Sequence, residues 1–234
     1  MEKAYRNIGY VFIFLLLFVV WSFYRTYFSQ LPTTNTFAGI YHFHGVVLLG
    51  WLLLLIVQPF LIRYKQYRWH RMLGKLSYVL APLIVISIFL VSKEKYNRLD
   101  TYVSVENNIG MIALNIPGML YFGLLYALAM INRKKQACHM RYMIATALFV
   151  IGPAVGRALE LYADVSFEHS VLYSVVVIEL LTIVLIVFDL IKKAPYKPYL
   201  VTLVFLISFH VTWMFRLANW WQQIGGFIAE QFFI

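Results

Sequence analysis

Apolar residues occupy this chain in long runs that short polar segments interrupt. An α-helix needs about 20 predominantly apolar residues to cross a bilayer, and seven runs reach that length. The pattern therefore predicts an all-α integral membrane protein, a seven-helix transmembrane bundle that forms one domain over residues 1–234. The first run is too long for a signal-peptide core and lacks a small-residue cleavage site, so we expect a retained helix. The predicted spans are residues 8–28, 38–62, 71–92, 108–131, 140–161, 169–191 and 198–217.

Composition and charge agree with this pattern and give the bundle a direction. Hydrophobic residues make up 62% of the chain and charged residues 13%, which is far from the composition of a soluble domain. The net charge of +10 does not indicate a nucleic-acid partner, because the basic residues lie in short clusters between apolar runs. Most Lys and Arg residues fall on the side of the N-terminus when alternate loops are grouped. The positive-inside rule then predicts a cytoplasmic N-terminus, an external C-terminus and the lipid bilayer as a partner.

The second predicted span carries a polar stripe. His44, Trp51 and Gln58 recur at steps of seven residues, which is close to two turns of an α-helix. They are expected on one face that runs from the outer leaflet to the inner one. His42 lies two residues from His44 and points to nearly the opposite side, so the two histidines are not expected to share one ion on a helix.

The fifth predicted span repeats this spacing, with His139 at its inner end and Glu160 at its outer end. Arg157 precedes Glu160 by three residues, a spacing that brings two side chains together on a helix. Two interpretations stay open. Either the two residues form a local ion pair that lowers its own cost of insertion, or Arg157 faces an anionic ligand while Glu160 holds the guanidinium.

Two more ionisable residues fall near the membrane centre, Glu179 in the sixth span and His210 in the seventh. A charged side chain in the hydrocarbon costs about 2.5–3.5 kcal/mol on insertion scales, so such residues usually mark function and find a polar partner. The similar depth of Glu179 and His210 predicts a contact between them. Asp189, nearer the inner end, is expected to pair with Lys192 or Lys193.

The remaining polar residues are predicted to gather at the two faces of the membrane. Arg216, near the outer end of the seventh span, is expected to extend to the interface. An outer cavity for a ligand would combine His42, His44, Trp51, Arg157 and Glu160. Candidate metal ligands at this face are His42, His44 and His169. An inner cluster would contain Gln58, His70, Arg71, His139 and Arg141.

Two helical hairpins resemble each other within the chain. The third span begins WHRMLGKLSYVLAP and the fifth begins CHMRYMIATALFVIGP. Each segment places a histidine, His70 or His139, at the inner face and follows it with an arginine and a proline. The likeness predicts a parallel repeat of the hairpin of spans 2–3 and the hairpin of spans 4–5.

The segments HFHGVVLLGWLLLLIVQPFLI, WHRMLGKL and HMRYMIATALFVIGPAVGR resemble a family of uncharacterised bacterial multi-pass membrane proteins, a domain of unknown function. The shared motifs are H-x-H-G, H-R-x-x-G and P-x-x-G-R, and they lie within residues 38–160. The resemblance implies a location in the bacterial inner membrane. It implies no particular activity.

A looser similarity is to membrane b-type cytochromes, which hold haem between helical histidines. His44 would be the first axial ligand, but Gln58 stands where these proteins have a second histidine, so at most one bis-histidine haem is expected. The number of spans is also similar to that of the adiponectin-receptor and haemolysin III group of zinc-dependent membrane hydrolases. The HxxxH motif of that group is absent, since Met214 follows His210 at that spacing, so zinc is favoured less than haem.

Three functions stay open on this reasoning. The first is a redox or ligand-binding protein whose outer cavity takes haem, a metal or a small quinone-like anion. The second is a proton- or ion-coupled transporter that uses Glu179 and His210. The third is a non-catalytic accessory or assembly subunit of a membrane complex. No nucleophile–base pair or phosphate-binding loop occurs in the sequence, so hydrolase chemistry of the soluble kind has no support.

Overall fold

The computed structural model describes residues 2, 5–31, 39–99 and 103–233. Within these ranges the chain forms nine α-helices and a closing π-helical segment, and it contains no β-strand there. The α-helices are α1 Ile8–Phe23, α2 Gly39–Arg63, α3 Tyr67–Gly74, α4 Ser77–Leu99, α5 Val105–Ile131, α6 Gln136–Tyr162, α7 Phe167–Ile191, α8 Lys197–Met214 and α9 Asn219–Ile228. The π-helical segment is Ala229–Phe233.

Six helical stretches of the described chain are long and apolar enough to cross a membrane. They are α2, then α3 and α4 taken together, and each helix from α5 to α8. Helix α1 is apolar but has only 16 residues, because regular α-helix ends at Phe23 rather than at residue 28. The prediction of an all-helical, multi-pass membrane protein is confirmed. A seventh crossing and the direction of insertion stay predictions.

Helix α6 forms the centre of the bundle. It packs against α1, α2, α5, α7 and α8, and half of its most apolar stretch is buried. Small residues allow this crowding, since Ala145 and Ala154 are fully buried and a Cβ atom on Gly156 would lie 3.7 Å from the carbonyl oxygen of Ser170 in α7. Close approach at small residues is the usual way in which helices associate in lipid.

Contacts between residues far apart in sequence identify the two ends of the bundle. We call the end that carries Tyr5 and Asp189 the proximal end and the end that carries Trp21 and Tyr162 the distal end. At the proximal end, the hydroxyl of Tyr5 donates a hydrogen bond to Asp189 at 2.9 Å, which places the start of α1 beside the end of α7. At the distal end, Trp21 stacks on Tyr162 with ring centroids 4.4 Å apart. Helix α1 therefore runs beside α6 toward the distal end.

Among the described residues, four prolines lie past the first turn of an α-helix: Pro59 in α2, Pro82 in α4, Pro117 in α5 and Pro153 in α6. Each proline lacks the backbone N–H that would close a turn, so one carbonyl in the preceding turn loses its helical partner. Membrane helices tolerate this where neighbouring groups satisfy the freed carbonyl.

The third apolar run is divided between two helices. Helix α3 ends at Gly74, and α4 begins at Ser77, whose hydroxyl donates to the carbonyl oxygen of Gly74 at 2.6 Å. Helix α4 then continues to Leu99, well past the predicted end at residue 92. The apolar run marks the part that lipid can surround, whereas the helix itself continues through polar residues.

The segment after α8 forms an element that the apolar pattern did not predict. Helix α9 lies against the start of α5, where the indole N–H of Trp221 donates to the carbonyl oxygen of Ile109 at 3.4 Å. Gly225 permits this approach, because a Cβ atom there would lie 2.8 Å from Cγ2 of Ile109. A helix of 10 residues that buries one face falls below the length on which span prediction relies.

Candidate functional site

The mid-span pair consists of Glu179 in α7 and His210 in α8. Nδ1 of His210 lies 3.0 Å from Oε1 and 3.2 Å from Oε2 of Glu179, so the predicted contact between the two residues is present. An ionised carboxylate can only accept, so Nδ1–H of His210 donates to it; a protonated Glu179 would donate to a bare Nδ1 instead. The pair can therefore hold a proton on either partner.

The mid-span pair lies at the seam between α7 and α8. The side chain of Glu179 is 15% exposed and that of His210 is 20% exposed. The next residue in α7, Leu180, is exposed, and so is Val211 in α8, whereas Leu206 is buried. Glu179 thus faces α8 at the edge of the bundle, between the buried interior and the exposed side surface of the helices.

The residues predicted to share an outer cavity form separate pairs in the structure. Nδ1 of His44 lies 2.9 Å from the hydroxyl of Ser87 in α4. Nδ1 of His42 lies 2.9 Å from the hydroxyl of Tyr27, so the two histidines address different neighbours. His169 lies 2.8 Å from Ser166 in its own turn of chain.

Arg157 and Glu160 form the local ion pair that their spacing predicted, with Nη1 of Arg157 at 3.2 Å from Oε2 of Glu160. The hydroxyl of Ser170 donates to the other carboxylate oxygen at 2.9 Å. Across the residues that the structure describes, no three His, Cys, Asp or Glu side chains come together in a way that could hold a metal ion.

Trp51 is a core residue in the structure, and its predicted role in lining a ligand cavity stays a prediction. Its side chain is fully buried and meets the rings of Phe122 and Tyr126 edge-on, at centroid distances of 5.4 and 5.7 Å. Its indole nitrogen has no hydrogen-bond partner among the described residues. The other two residues of the stripe, His44 and Gln58, do contact polar neighbours. Only its middle residue, Trp51, has apolar surroundings.

Three members of the predicted inner cluster lie together at the proximal end. The amide of Gln58, with its nitrogen toward His70, donates to the carbonyl oxygen of His70 at 3.2 Å and accepts from the N–H of Gly74 at 3.0 Å. His139 lies near His70, and its own Nδ1–H donates to the carbonyl oxygen of Ala129 at 2.9 Å. Arg71 is exposed.

Arg141 does not belong to that cluster but forms a buried ionic group, which we name the arginine node: Glu2, Tyr5, Arg141 and Asp189. Nε and Nη2 of Arg141 donate to the two oxygens of Asp189 at 2.6 and 2.8 Å. Nη1 and Nη2 donate to the two oxygens of Glu2 at 2.9 and 2.8 Å, and Nη1 also donates to the carbonyl oxygen of Ala137 at 3.0 Å. All five guanidinium donors are therefore used.

The arginine node corrects the expected pairing of Asp189 with Lys192 or Lys193. The side chains of Arg141 and Asp189 are both fully buried, so a carboxylate at this position needs a partner inside the bundle. The hydroxyl of Tyr5 supplies one further donor to Asp189. Sequence gave no signal for this group, because Arg141 and Asp189 lie 48 residues apart.

The two members of the node that precede α1 are both shifted in their acid–base behaviour. Hydrogen bonds from Arg141 hold the pKa of Glu2 below its usual value, and burial raises the pKa of Tyr5 to about 12. Near neutral pH, Glu2 stays ionised and Tyr5 stays a hydrogen-bond donor. The contribution of Glu2 to stability is present above its unfolded-state pKa and is lost as the pH falls through its folded-state pKa.

Arg216 also has a partner that the sequence did not predict. Its guanidinium pairs with Glu168 at the start of α7 and lies over the ring of Trp213, 4.3 Å from the centroid. The carboxylate of Glu168 is 67% exposed, so the pair lies at the distal surface. Arg216 therefore reaches polar surroundings, as predicted, but through a defined ion pair.

The helices support a multi-pass membrane protein that carries several polar pairs between its spans. The family and cofactor resemblances stated above stay predictions, because they concern activities and ligands that the described contacts do not test. In comparisons with known proteins, no family model, no curated protein and no solved structure matches this chain.

Proposed function

We propose that the protein moves protons across the membrane, alone or coupled to another solute, and that Glu179 and His210 carry the proton. The observation that supports this most is the direct contact between the two side chains at 3.0 Å, between helices long enough to cross a membrane. Histidine titrates closest to neutral pH among the side chains, and a neighbouring carboxylate can take or release the same proton.

The position of the mid-span pair favours a working role over a packing role. A carboxylate in the middle of a 25-residue apolar helix cannot reach the interface, so it carries its insertion cost for as long as it is ionised. Sharing one proton with His210 lowers that cost. The two side chains of the pair come from α7 and α8. A small change in the distance between these helices would therefore separate the two side chains and let each contact other groups.

The test is proton flux in liposomes that contain the purified protein and an enclosed pH-sensitive dye. With a potassium-diffusion potential imposed, wild-type protein is expected to pass protons faster than protein-free liposomes do. Glu179→Gln removes the titratable group while keeping its shape, so its flux should fall to the protein-free level. Glu230→Gln is the matched control, since Glu230 is exposed in the π-helical segment, and it should keep wild-type flux. Equal flux in wild type and Glu179→Gln would refute the proposal.

A second candidate function is the binding of a small anion, such as a quinone-like ligand, at Arg157. The guanidinium is 38% exposed and is held by Glu160, which in turn accepts from Ser170. Binding of haem or a metal at His44 is a further form of this second candidate function. The visible spectrum of purified protein, recorded with and without dithionite and followed by metal analysis, tests these forms directly. A colourless, metal-free sample without proton flux would favour an accessory subunit of a membrane complex.

We further propose seven crossings with the N-terminus in the cytoplasm of a bacterial cell. Helix α1 supports this count, because Tyr5 contacts the proximal end of the bundle and Arg25 donates to the carbonyl oxygen of Leu161 near the distal end at 3.5 Å. Labelling of single cysteines introduced at residues 6, 65 and 164, in a Cys138→Ser background, should place residues 6 and 65 on the cytoplasmic side and residue 164 on the other side; residues 6 and 65 on opposite sides would refute a crossing by α1.

A further inference from the structure

A small cavity with both polar and apolar walls lies between α4 and α5 in the distal half of the bundle, and Met111 and Ile112 of α5 supply part of the apolar lining. Its volume is about 10 Å³, and its polar lining comes from Ser92, Lys95 and Tyr96 of α4 and from Asn108 and Asn115 of α5. This is the size at which a cavity can hold one water molecule, which needs roughly 10–15 Å³. The apolar pattern gave no sign of this group, because its members lie at the polar ends of two successive runs.

Asn108 is the residue whose hydrogen bonding is incomplete. Its side chain is 1% exposed, and its amide nitrogen donates to the carbonyl oxygen of Tyr96 at 2.9 Å. Its amide oxygen has no hydrogen-bond partner among the described residues. Leaving such an acceptor unsatisfied is destabilising, and buried polar groups in native proteins nearly always have a partner.

The other walls of the cavity offer groups that complement this oxygen. Lys95 is one of the lining residues, and the Nδ2 of Asn115 lies 3.5 Å from the hydroxyl oxygen of Ser92, a long and weak hydrogen bond. Nζ of Lys95 lies 5.0 Å from the ring centroid of Phe167, and it makes no hydrogen bond within the described part of the chain. A ligand here must donate to Asn108 and accept from a cation or an amide.

We propose that this cavity is a binding site for a single structural water molecule, which donates to Oδ1 of Asn108 and accepts from Lys95. Water alone among common ligands both donates and accepts through one heavy atom and fits a cavity of about 10 Å³. A metal cation would meet the positive charge of Lys95, and an anion would meet the acceptor oxygen of Asn108. A cation would be attracted by Oδ1 of Asn108 but repelled by Lys95, and an anion would be attracted by Lys95 but repelled by Oδ1 of Asn108.

The C-terminal segment packs beside this site, against residues of α4. Phe233 is 1% exposed and packs against Tyr96 with ring centroids 5.5 Å apart. The ammonium of Lys93 donates to the carbonyl oxygen of Phe232 at 2.9 Å, which fixes the π-helical segment over α4. The proposed water therefore lies between α4 and α5, next to the place where the C-terminal segment packs on Tyr96.

The test is an experimental structure of the full chain, in a lipid nanodisc, at a resolution that shows ordered water. A single density peak is expected at hydrogen-bond distance from Oδ1 of Asn108, about 2.7–3.2 Å. An absent peak would overturn the proposal, and so would Nζ of Lys95 in direct contact with Oδ1 of Asn108.

Two variants make the assignment specific to Asn108. Asn108→Leu replaces the amide with an apolar group of similar size, so the peak should disappear from its structure. Asn107→Leu is the matched control, because Asn107 is exposed and its side chain donates to Ser104 at 2.9 Å outside the cavity; the peak should remain. A peak retained in Asn108→Leu would show that Asn108 does not hold the water. If Asn108→Leu fails to fold, the wild-type structure alone decides.

Discussion

Arg141→Ala is expected to lower the free energy of unfolding by about 3–5 kcal/mol, which is the range for breaking a buried ion pair from one side. The substitution would leave Asp189 fully buried without the two hydrogen bonds from Arg141 that now satisfy it. It would also release Glu2, which no other described side chain holds at this position. The measurement is the free energy of unfolding in mixed detergent micelles, followed by tryptophan fluorescence.

The matched control for this variant is Arg157→Ala. Arg157 also pairs with a carboxylate, but its side chain is 38% exposed and the partner is three residues away in the same helix. Exposed pairs of this kind are worth about 0.3–0.5 kcal/mol. Similar losses in the free energy of unfolding for Arg141→Ala and Arg157→Ala would contradict the assignment of Arg141 to a buried ionic group.

A paired replacement separates the cost of an orphaned charge from the worth of the ion pair. Replacing Arg141 with Met and Asp189 with Leu removes both buried charges, so the double variant is expected to lose less stability than Arg141→Ala does alone. Glu2 can be solvated in that variant, because its side chain is already 33% exposed. An additive loss from the two changes would mean that the charges act independently.

Trp51→Ala is expected to lower the free energy of unfolding by about 3–5 kcal/mol, as removal of a large core side chain does. Trp51 is fully buried and fills the space between α2 and the rings of Phe122 and Tyr126. Its truncation would leave a cavity between α2 and α5. If Trp51 lined a ligand cavity instead, the same change would alter ligand affinity at little cost in stability.

Two further variants calibrate the result for Trp51. Trp51→Phe keeps an aromatic ring in the core and should lose clearly less stability than Trp51→Ala. Trp69→Ala removes the same side chain from α3, where it is 51% exposed, and should change stability by no more than about 0.5 kcal/mol. Equal losses at Trp51 and Trp69 would show that burial does not set the effect.

Sequence was sufficient where an interaction depends on a single helix or on depth alone. Runs of about 20 apolar residues predicted the long helices, because a backbone in lipid must satisfy its own hydrogen bonds. The three-residue spacing of Arg157 and Glu160 predicted their ion pair, since such a spacing fixes distance within a helix. Glu179 and His210 were matched by depth, and each has the other as its ionisable neighbour in the structure.

Only the tertiary structure decided which helix faces stand opposite one another. The sequence places Arg141 near His139 and Asp189 near Lys192, but the fold brings Arg141 and Asp189 together across 48 residues and adds Glu2 from the start of the chain. It also made Trp51 a core residue and packed the C-terminal segment against Tyr96, beside the Asn108 cavity. The physical reason is that periodicity gives the depth and the face of a side chain within its own helix, whereas its partner depends on how neighbouring helices pack.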